Sequence, residues 1–508
     1  MKFSLLFRNY VEDARDTVGY EEMSNTVYDL AIDRAAKRFC RNSDSFSYFL
    51  ETLKQPLKSP EDIKYRQDIM VDFVAMPKLL EELRMIFKSY DSLQSDWHEM
   101  CTSIYTYGVP STVKGLLDCT YDSLRATSTF ARSTVSYFKA ISDAVDKYDV
   151  KSEGLKGIKQ FCSEMTVNES LDEISKIGEM VQRDNVSAYE FRIKVGTDDT
   201  MTVRTASLAD ISEIESRSLG KSLKKLIGSI GRAQNADDSP EIAMGQLHVE
   251  EAMKILNEAL YEVYSVMSGI TGDIYEFFRG LSGELSFYDS GLALCRYLRE
   301  AGMGMCMPKV VEAEKDCFRV TDIYDIQLIE EGVDTIVTNS ISVDGGMDGV
   351  LIRGANTAGK TSFLRALGTA QIFAQSGLPV CASAAEISVR NAVLSLFASA
   401  EEEFNIGDAA GRFEGEVQEM ARILDHIVPY TLLLLNESFQ TTAYREGAVA
   451  MKRILRVLPR VKCKYVFVTW LMQMFDLMKD ERVEHMQMGG EGHPAYKIHP
   501  VDRDQGGK

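Results

Sequence analysis

The chain has 508 residues, 45% hydrophobic and 26% charged, with a formal net charge of −19. At about 150 residues per domain this predicts three or so soluble globular domains. No run of about 18 apolar residues exists, so no membrane span is expected. The acidic balance argues against indiscriminate nucleic-acid binding and leaves any DNA contact to a local basic patch.

The opening stretch Met1–Tyr10 is too short in apolar residues for a signal peptide. Nine cysteines are scattered without a C-x-x-C, and six histidines lack metal-ligand spacing. They read as free thiols of a cytoplasmic protein, without a zinc site. Residues 1–115 read as helices and loops. Pro56 stops one helix, Ser59 is placed as an N-cap with Pro60 following, and Ile63, Ile69, Met70 and Phe73 continue an apolar face. A generic helix hairpin explains the same residues.

From 116 to 185 long helical patterns continue, as in Val135, Phe138 and Ile141. The period then changes to two. Tyr189–Val195 and Met201–Arg204 alternate around the turn Gly196–Asp199, which predicts a β-hairpin within 186–235. The basic run Arg217–Lys225, with Arg232 beyond, fits either a solvated helix face or a DNA contact. Helical periodicity returns over 236–302 with Leu256, Leu260, Val263 and Met267, then Leu281, Leu285 and Leu292.

The region 303–508 carries the strongest signal. Asp348–Ile352 reads as a strand. Gly354-Ala355-Asn356-Thr357-Ala358-Gly359-Lys360-Thr361 fits G-x-x-x-x-G-K-[ST], and Phe363, Leu364, Leu367, Ile372 and Phe373 mark a following helix closed by Gly377 and Pro379. Backbone N–H groups of such a loop cradle phosphate at a helix N-terminus. Lys360 reaches the β- and γ-phosphates, and the Thr361 hydroxyl sits on Mg²⁺. Downstream, Thr431–Leu435 and Tyr465–Thr469 read as buried strands. Either run alone fits an ordinary core strand, and their order after the glycine loop gives them meaning. The first ends in Asn436-Glu437, an uncharged residue at the metal position, acting through water, and a candidate catalytic base.

The loop with Ser362, the run from Leu432 to Glu437, and Thr441-Thr442-Ala443-Tyr444-Arg445-Glu446-Gly447 together resemble the ATPase domain of the MutS family. The resemblance implies a multidomain protein: all-α core and lever helices with a small β insert, then an α/β P-loop ATPase domain of ABC type. It casts 1–115 as the first part of the helical core, with Arg66-Gln67 after a Pro-Leu-x-x-Pro turn. It casts 116–185 as lever helices, 186–235 as a clamp-like insert, 236–302 as the returning helices and 303–508 as the ATPase. It assigns nucleotide contacts to Asn339 and to Gly354–Ser362. It implies ATP and Mg²⁺ as cofactors, DNA as partner and an ATP-dependent homodimer. The expected form is short, lacking an N-terminal mismatch-reading domain and any following nuclease-like domain.

Departures from the family pattern bear on rate. A Ser of the signature segment is missing from Gly411–Val417, where Arg412 offers charge instead. That stretch is expected to lead into a helix with Val417, Met420, Leu424 and Ile427 on one face. The family's Thr-His after the last strand is Thr469-Trp470, and an indole can donate but cannot accept or become cationic. With Asn436, these changes predict ATP binding with slow turnover. A last short strand is expected at Ala495–Ile498. The functional expectation is an ATP-gated DNA clamp of repair or recombination that does not read single mismatches. The alternative is a nucleotide-binding structural or regulatory protein without DNA binding, favoured by the acidic charge.

Overall fold

A computed structural model describes residues 3–8, 20–106, 112–180, 189–197, 203–213, 249–397, 409–438, 444–490 and 492–501. The basic run 217–225 and the segment 441–443 lie outside them. The chain divides into two compact units, Met1–Phe3 with Lys78–Val150 and Leu155–Ser282, and Ser4–Pro77 with Lys151–Gly154 and Gly283–Lys508. The first is termed the helical unit and the second the sheet unit.

Four helices open the sheet unit: α1 (Tyr20–Asp29), α2 (Ile32–Phe39), α3 (Ser43–Leu53) and α4 (Pro60–Ala75). The start of α4 follows the sequence signal. Ser59 Oγ accepts from Asp62 N at 3.3 Å, and Pro60 takes the first turn, where its missing N–H costs nothing. Its Ile63, Ile69, Met70 and Phe73 are fully buried.

The helical unit is built from α5 (Pro77–Thr106, from Lys78), α6 (Val113–Asp146), α7 (Glu153–Thr166, from Leu155), α8 (Glu169–Met180) and α9 (Val249–Glu300, through Ser282). Aromatic rings fill its core. Tyr90 of α5 stacks on Phe278 of α9 at 3.7 Å between centroids, and Phe138 of α6 lies 5.1 Å from Phe278. These rings bury large apolar areas, which stabilises long helices that propensity alone would leave marginal. The unit also carries an antiparallel hairpin, β1 (Tyr189–Thr197) with β2 (Val203–Glu213), paired from Tyr189↔Glu213 to Thr197↔Val203. The second strand runs well past the Arg204 expected from alternation.

The rest of the sheet unit holds β3 (Lys309–Val311), β4 (Phe318–Ile323), α10 (Gln327–Glu330), β5 (Asn339–Val343), β6 (Gly349–Arg353), α11 (Lys360–Gln375), β7 (Ala384–Ser388), β8 (Ala392–Phe397), α12 (Ala409–Asp425), β9 (Thr431–Asn436), α13 (Tyr444–Leu455), β10 (Lys464–Val468), α14 (Met472–Leu477), β11 (Val483–Met488) and β12 (Ile498–Pro500). A six-stranded sheet has the order β12-β11-β6-β10-β9-β8, and a four-stranded sheet has the order β3-β7-β4-β5. In the larger sheet β11, β6, β10, β9 and β8 are parallel and only β12 runs against its neighbour. Parallel strands are covered on both faces, which is why β9 and β10 are buried at every position.

Helix α11 is buried nearly all round, and Gly368 shows why it needs a residue without a side chain there. A Cβ at Gly368 would stand 2.6 Å from both Leu30 Cδ2 and Leu434 Cδ1. The two sheets are tied by Asp316, whose carboxylate lies 2.8 Å from Arg390 Nη2 and 2.8 Å from Lys464 Nζ. Among the described residues, no helix is long and apolar enough to cross a membrane.

Two expectations are corrected here. The last strand begins at Ile498 instead of Ala495, because Lys497 N donates back to Pro494 O at 3.3 Å and Tyr496 has φ 61°, which makes 494–497 a turn. In α12, Met420 and Ile423 are buried, and Leu424 and, just past the helix end, Ile427 pack against the same cluster, but Val417 is 40% exposed. The cluster beneath the helix does not extend to its first turns.

Candidate functional site

The parallel strands β6, β10 and β9 are neighbours, so their C-terminal ends open onto one edge, where α/β sheets hold ligands. The glycine loop leaves β6 at that edge and enters α11. Ala355, Asn356 and Thr357 are exposed at its crown, and Ala358 N donates to Ala355 O at 3.0 Å to close the turn. Gly359 is the N-cap with φ 89°, a left-handed conformation that glycine takes without strain. No side chain caps the first turn of α11, so its leading N–H groups face the loop with the positive end of the helix dipole behind them. Ser362 is half-buried in that turn.

Lys360 is buried at 2% side-chain exposure. Its Nζ donates to Gly354 O at 3.0 Å and Ala355 O at 2.9 Å, and lies 3.2 Å from Glu437 Oε1. Next to it, Thr361 Oγ1 donates to Asn436 Oδ1 at 3.1 Å. Asn436 ends β9 opposite Val468 of β10. Glu437 follows with φ 54°, and its N–H donates to Val468 O at 2.8 Å. A non-glycine residue in this region stores roughly 1–2 kcal/mol of strain. Here the strained backbone turns the carboxylate out of the strand towards Lys360.

The remaining sequence-derived residues sit differently. Asn339, to which the resemblance assigns a nucleotide contact, is the first residue of β5, buried at 7% exposure. Arg412 lies inside the first turns of α12, so Gly411–Val417 is helix and does not precede one. Trp470 packs against the apolar cluster that includes Leu351, Phe467 and Phe475. Of the Thr441–Gly447 segment, the described residues begin α13 at Tyr444. Sequence reasoning missed two neighbours of the loop. Met488 O lies 2.9 Å from where a Cβ on Gly354 would stand, and Tyr496 Cδ1 lies 3.2 Å from one on Gly359. The glycine cluster at 489, 490 and 492 was the available signal for a tight connection there.

A parallel sheet with a glycine loop between its central strand and a buried helix, faced by a polar strand end, defines a doubly wound α/β domain with its site at the C-terminal edge. Residues 350–498 match the family described as MutS domain V. Over these residues the chain is similar to the MutS family. Endonuclease MutS2 of Streptococcus gordonii is 32% identical over 140 residues, 27% of this chain and 18% of that protein. Endonuclease MutS2 of Lactococcus lactis is 29% identical over 173 residues, 31% of this chain and 22% of that protein. Endonuclease MutS2 of Streptococcus pyogenes serotype M5 is 34% identical over 120 residues, 23% of this chain and 15% of that protein. The chain thus spans no more than 22% of the length of these relatives.

Proposed function

We propose that the sheet unit binds Mg–ATP at the glycine loop, and that the protein is an ATP-gated, DNA-binding member of its family acting in repair or recombination. The observation that carries this reading is the meeting of two distant chain segments at one sheet edge. Lys360 Nζ is 3.2 Å from Glu437 Oε1, and Thr361 Oγ1 is 3.1 Å from Asn436 Oδ1. The donor set fits a triphosphate and a hard cation. An uncapped helix N-terminus and a lysine offer positive charge, and hydroxyl, amide and carboxylate oxygens stand beside them. Bound Mg–ATP would supply the phosphoryl group and the metal charge.

In this reading the loop N–H groups and Lys360 hold phosphate oxygens. Thr361 holds the metal directly and Asn436 holds it through water. Glu437 orients the attacking water and accepts its proton. Arg412 offers positive charge where the family has Ser, and Trp470 stands where it has His. Three charge-stabilising groups are thereby weakened, each typically worth about a hundredfold in rate, so binding outlasts turnover. ATP-dependent pairing of two chains completes the proposal, with α9 contributing residues to both units.

A second reading, a nucleotide-binding regulatory protein without DNA contact, is favoured by the net charge of −19. Retention on duplex and branched DNA across a salt series, with and without ATP, separates the two. ATP-dependent, salt-sensitive retention supports the clamp. A flat response at low salt leaves the regulatory reading.

A further inference from the structure

Asn339 was assigned to nucleotide contact by resemblance, yet both ends of its carboxamide are already engaged. Nδ2 donates to Tyr496 O at 3.0 Å, and Oδ1 accepts from Ile498 N at 2.8 Å. The side chain thus pairs with the backbone of the β11–β12 connection as a strand neighbour would. Lys497 Nζ adds a bond to Thr338 O, and Gly489 N donates to Lys497 O at 2.8 Å to close the connection on itself.

The same connection and the strand end before it bracket the glycine loop at Gly354 and Gly359. Met488 O faces Gly354 at 2.9 Å from a would-be Cβ, and the Tyr496 ring faces Gly359 at 3.2 Å. Tyr496 is 51% exposed and holds φ 61°, a conformation that an L side chain rarely adopts without enforcement. The Tyr496 carbonyl accepts the bond from Asn339, and Ile498 two residues on donates to the same side chain.

We infer that Asn339 is a positioning residue: it clamps the β11–β12 connection against Gly354 and Gly359 and shapes the glycine loop through that connection instead of touching ligand. This deepens the proposed nucleotide site and rests on it for its consequence, though the clamp itself can be tested without nucleotide. Losing the clamp lets Tyr496 leave the left-handed region and frees the loop at its helix end.

The test is hydrogen exchange on the nucleotide-free protein, wild type against Asn339→Ala, read in peptides covering 354–361 and 489–498. Exchange about tenfold or more faster is expected in both peptides, with β9 (Thr431–Asn436) and β10 (Lys464–Val468) of the same unit unchanged as the control for folding. Unchanged exchange in 354–361, including acceleration confined to 489–498, overturns the inference. Asn339→Asp keeps the acceptor and the volume but cannot donate to Tyr496 O, and it carries the same test should the alanine variant lose its fold.

ATP affinity then separates the two roles. Tyr496→Gly removes the ring that faces Gly359 and leaves Asn339 in place, so ATP affinity is expected to fall in it as in Asn339→Ala if Asn339 acts through the connection. Full affinity in Tyr496→Gly beside a loss in Asn339→Ala means direct ligand contact and overturns the inference. If the wild type binds no ATP, the proposed function fails while the exchange comparison still decides the clamp.

Discussion

Lys360 Nζ lies 3.2 Å from Glu437 Oε1, so the one buried cation of the glycine loop is paired with the carboxylate at the end of β9. The pair is polarised in its setting, with the lysine at 2% side-chain exposure and the glutamate at 23%. On the proposed reading, a triphosphate entering the loop would compete with Glu437 for that cation. Glu437→Gln removes the competitor and the proposed base together. ATP is expected to bind the variant at least as tightly as the wild type, while phosphate release falls about 10²–10⁴-fold. Equilibrium binding and single-turnover phosphate release check both halves.

Asn436 offers the second handle. Thr361 Oγ1 donates to its Oδ1 at 3.1 Å, so the position faces the hydroxyl expected to hold Mg²⁺. Asn436→Asp adds a charge there without changing the side-chain volume. Turnover is expected to rise by roughly tenfold or more, and half-maximal activity to move to lower magnesium. Steady-state kinetics over a magnesium titration measures this.

The sequence shows the glycine loop and strands β6, β9 and β10 because their signals are contiguous. One motif sits between an apolar run and a helical period, and parallel strands read as unbroken apolar runs. It misplaces what depends on distant partners. Asn339 looks like a loop residue because its bonding partners, Tyr496 and Ile498, lie at the other end of the domain. The turn at Tyr496 shares its local pattern with a strand, and only its left-handed backbone separates them. Arg412 reads as loop because Gly411 and Gly415 flank it, yet both glycines are carried within α12.

Two buried carboxyls give the sheet unit a pH dependence. Burial raises the Glu284 carboxyl from 4.5 to about 7, against the lowering effect of bonds from Ser4 Oγ and Leu5 N. Burial likewise raises Asp325 from 3.8 to about 7. In the folded state these groups keep a proton that the unfolded chain releases at lower pH. Their contribution is therefore fully present below the unfolded values and is lost as pH rises through about 7. Each amounts to a few kcal/mol, at about 1.4 kcal/mol per unit. The thermal midpoint is expected to fall between pH 5.5 and 7.5, and Glu284→Gln or Asp325→Asn to flatten that fall. Thermal melts across the range, compared among the three proteins, test the sign.

Gly368 tests the packing of α11. Its absent side chain lets Leu30 and Leu434, both fully buried, close within 2.6 Å of the would-be Cβ position. Gly368→Ala is expected to destabilise the sheet unit by about 1–3 kcal/mol, because hemmed leucines cannot both withdraw. The gain in helix propensity, about 1 kcal/mol, is smaller than the upper part of that cost. Denaturant unfolding measures the balance.

The central claim is that the loop from Gly354 to Thr361 grips a triphosphate through Lys360. Isothermal titration of Mg–ATP into the wild type and Lys360→Ala tests it most directly. The account predicts measurable binding by the wild type and a weakening of about tenfold or more in the variant, a loss of at least about 1.4 kcal/mol. Equal affinity in the two proteins would contradict it.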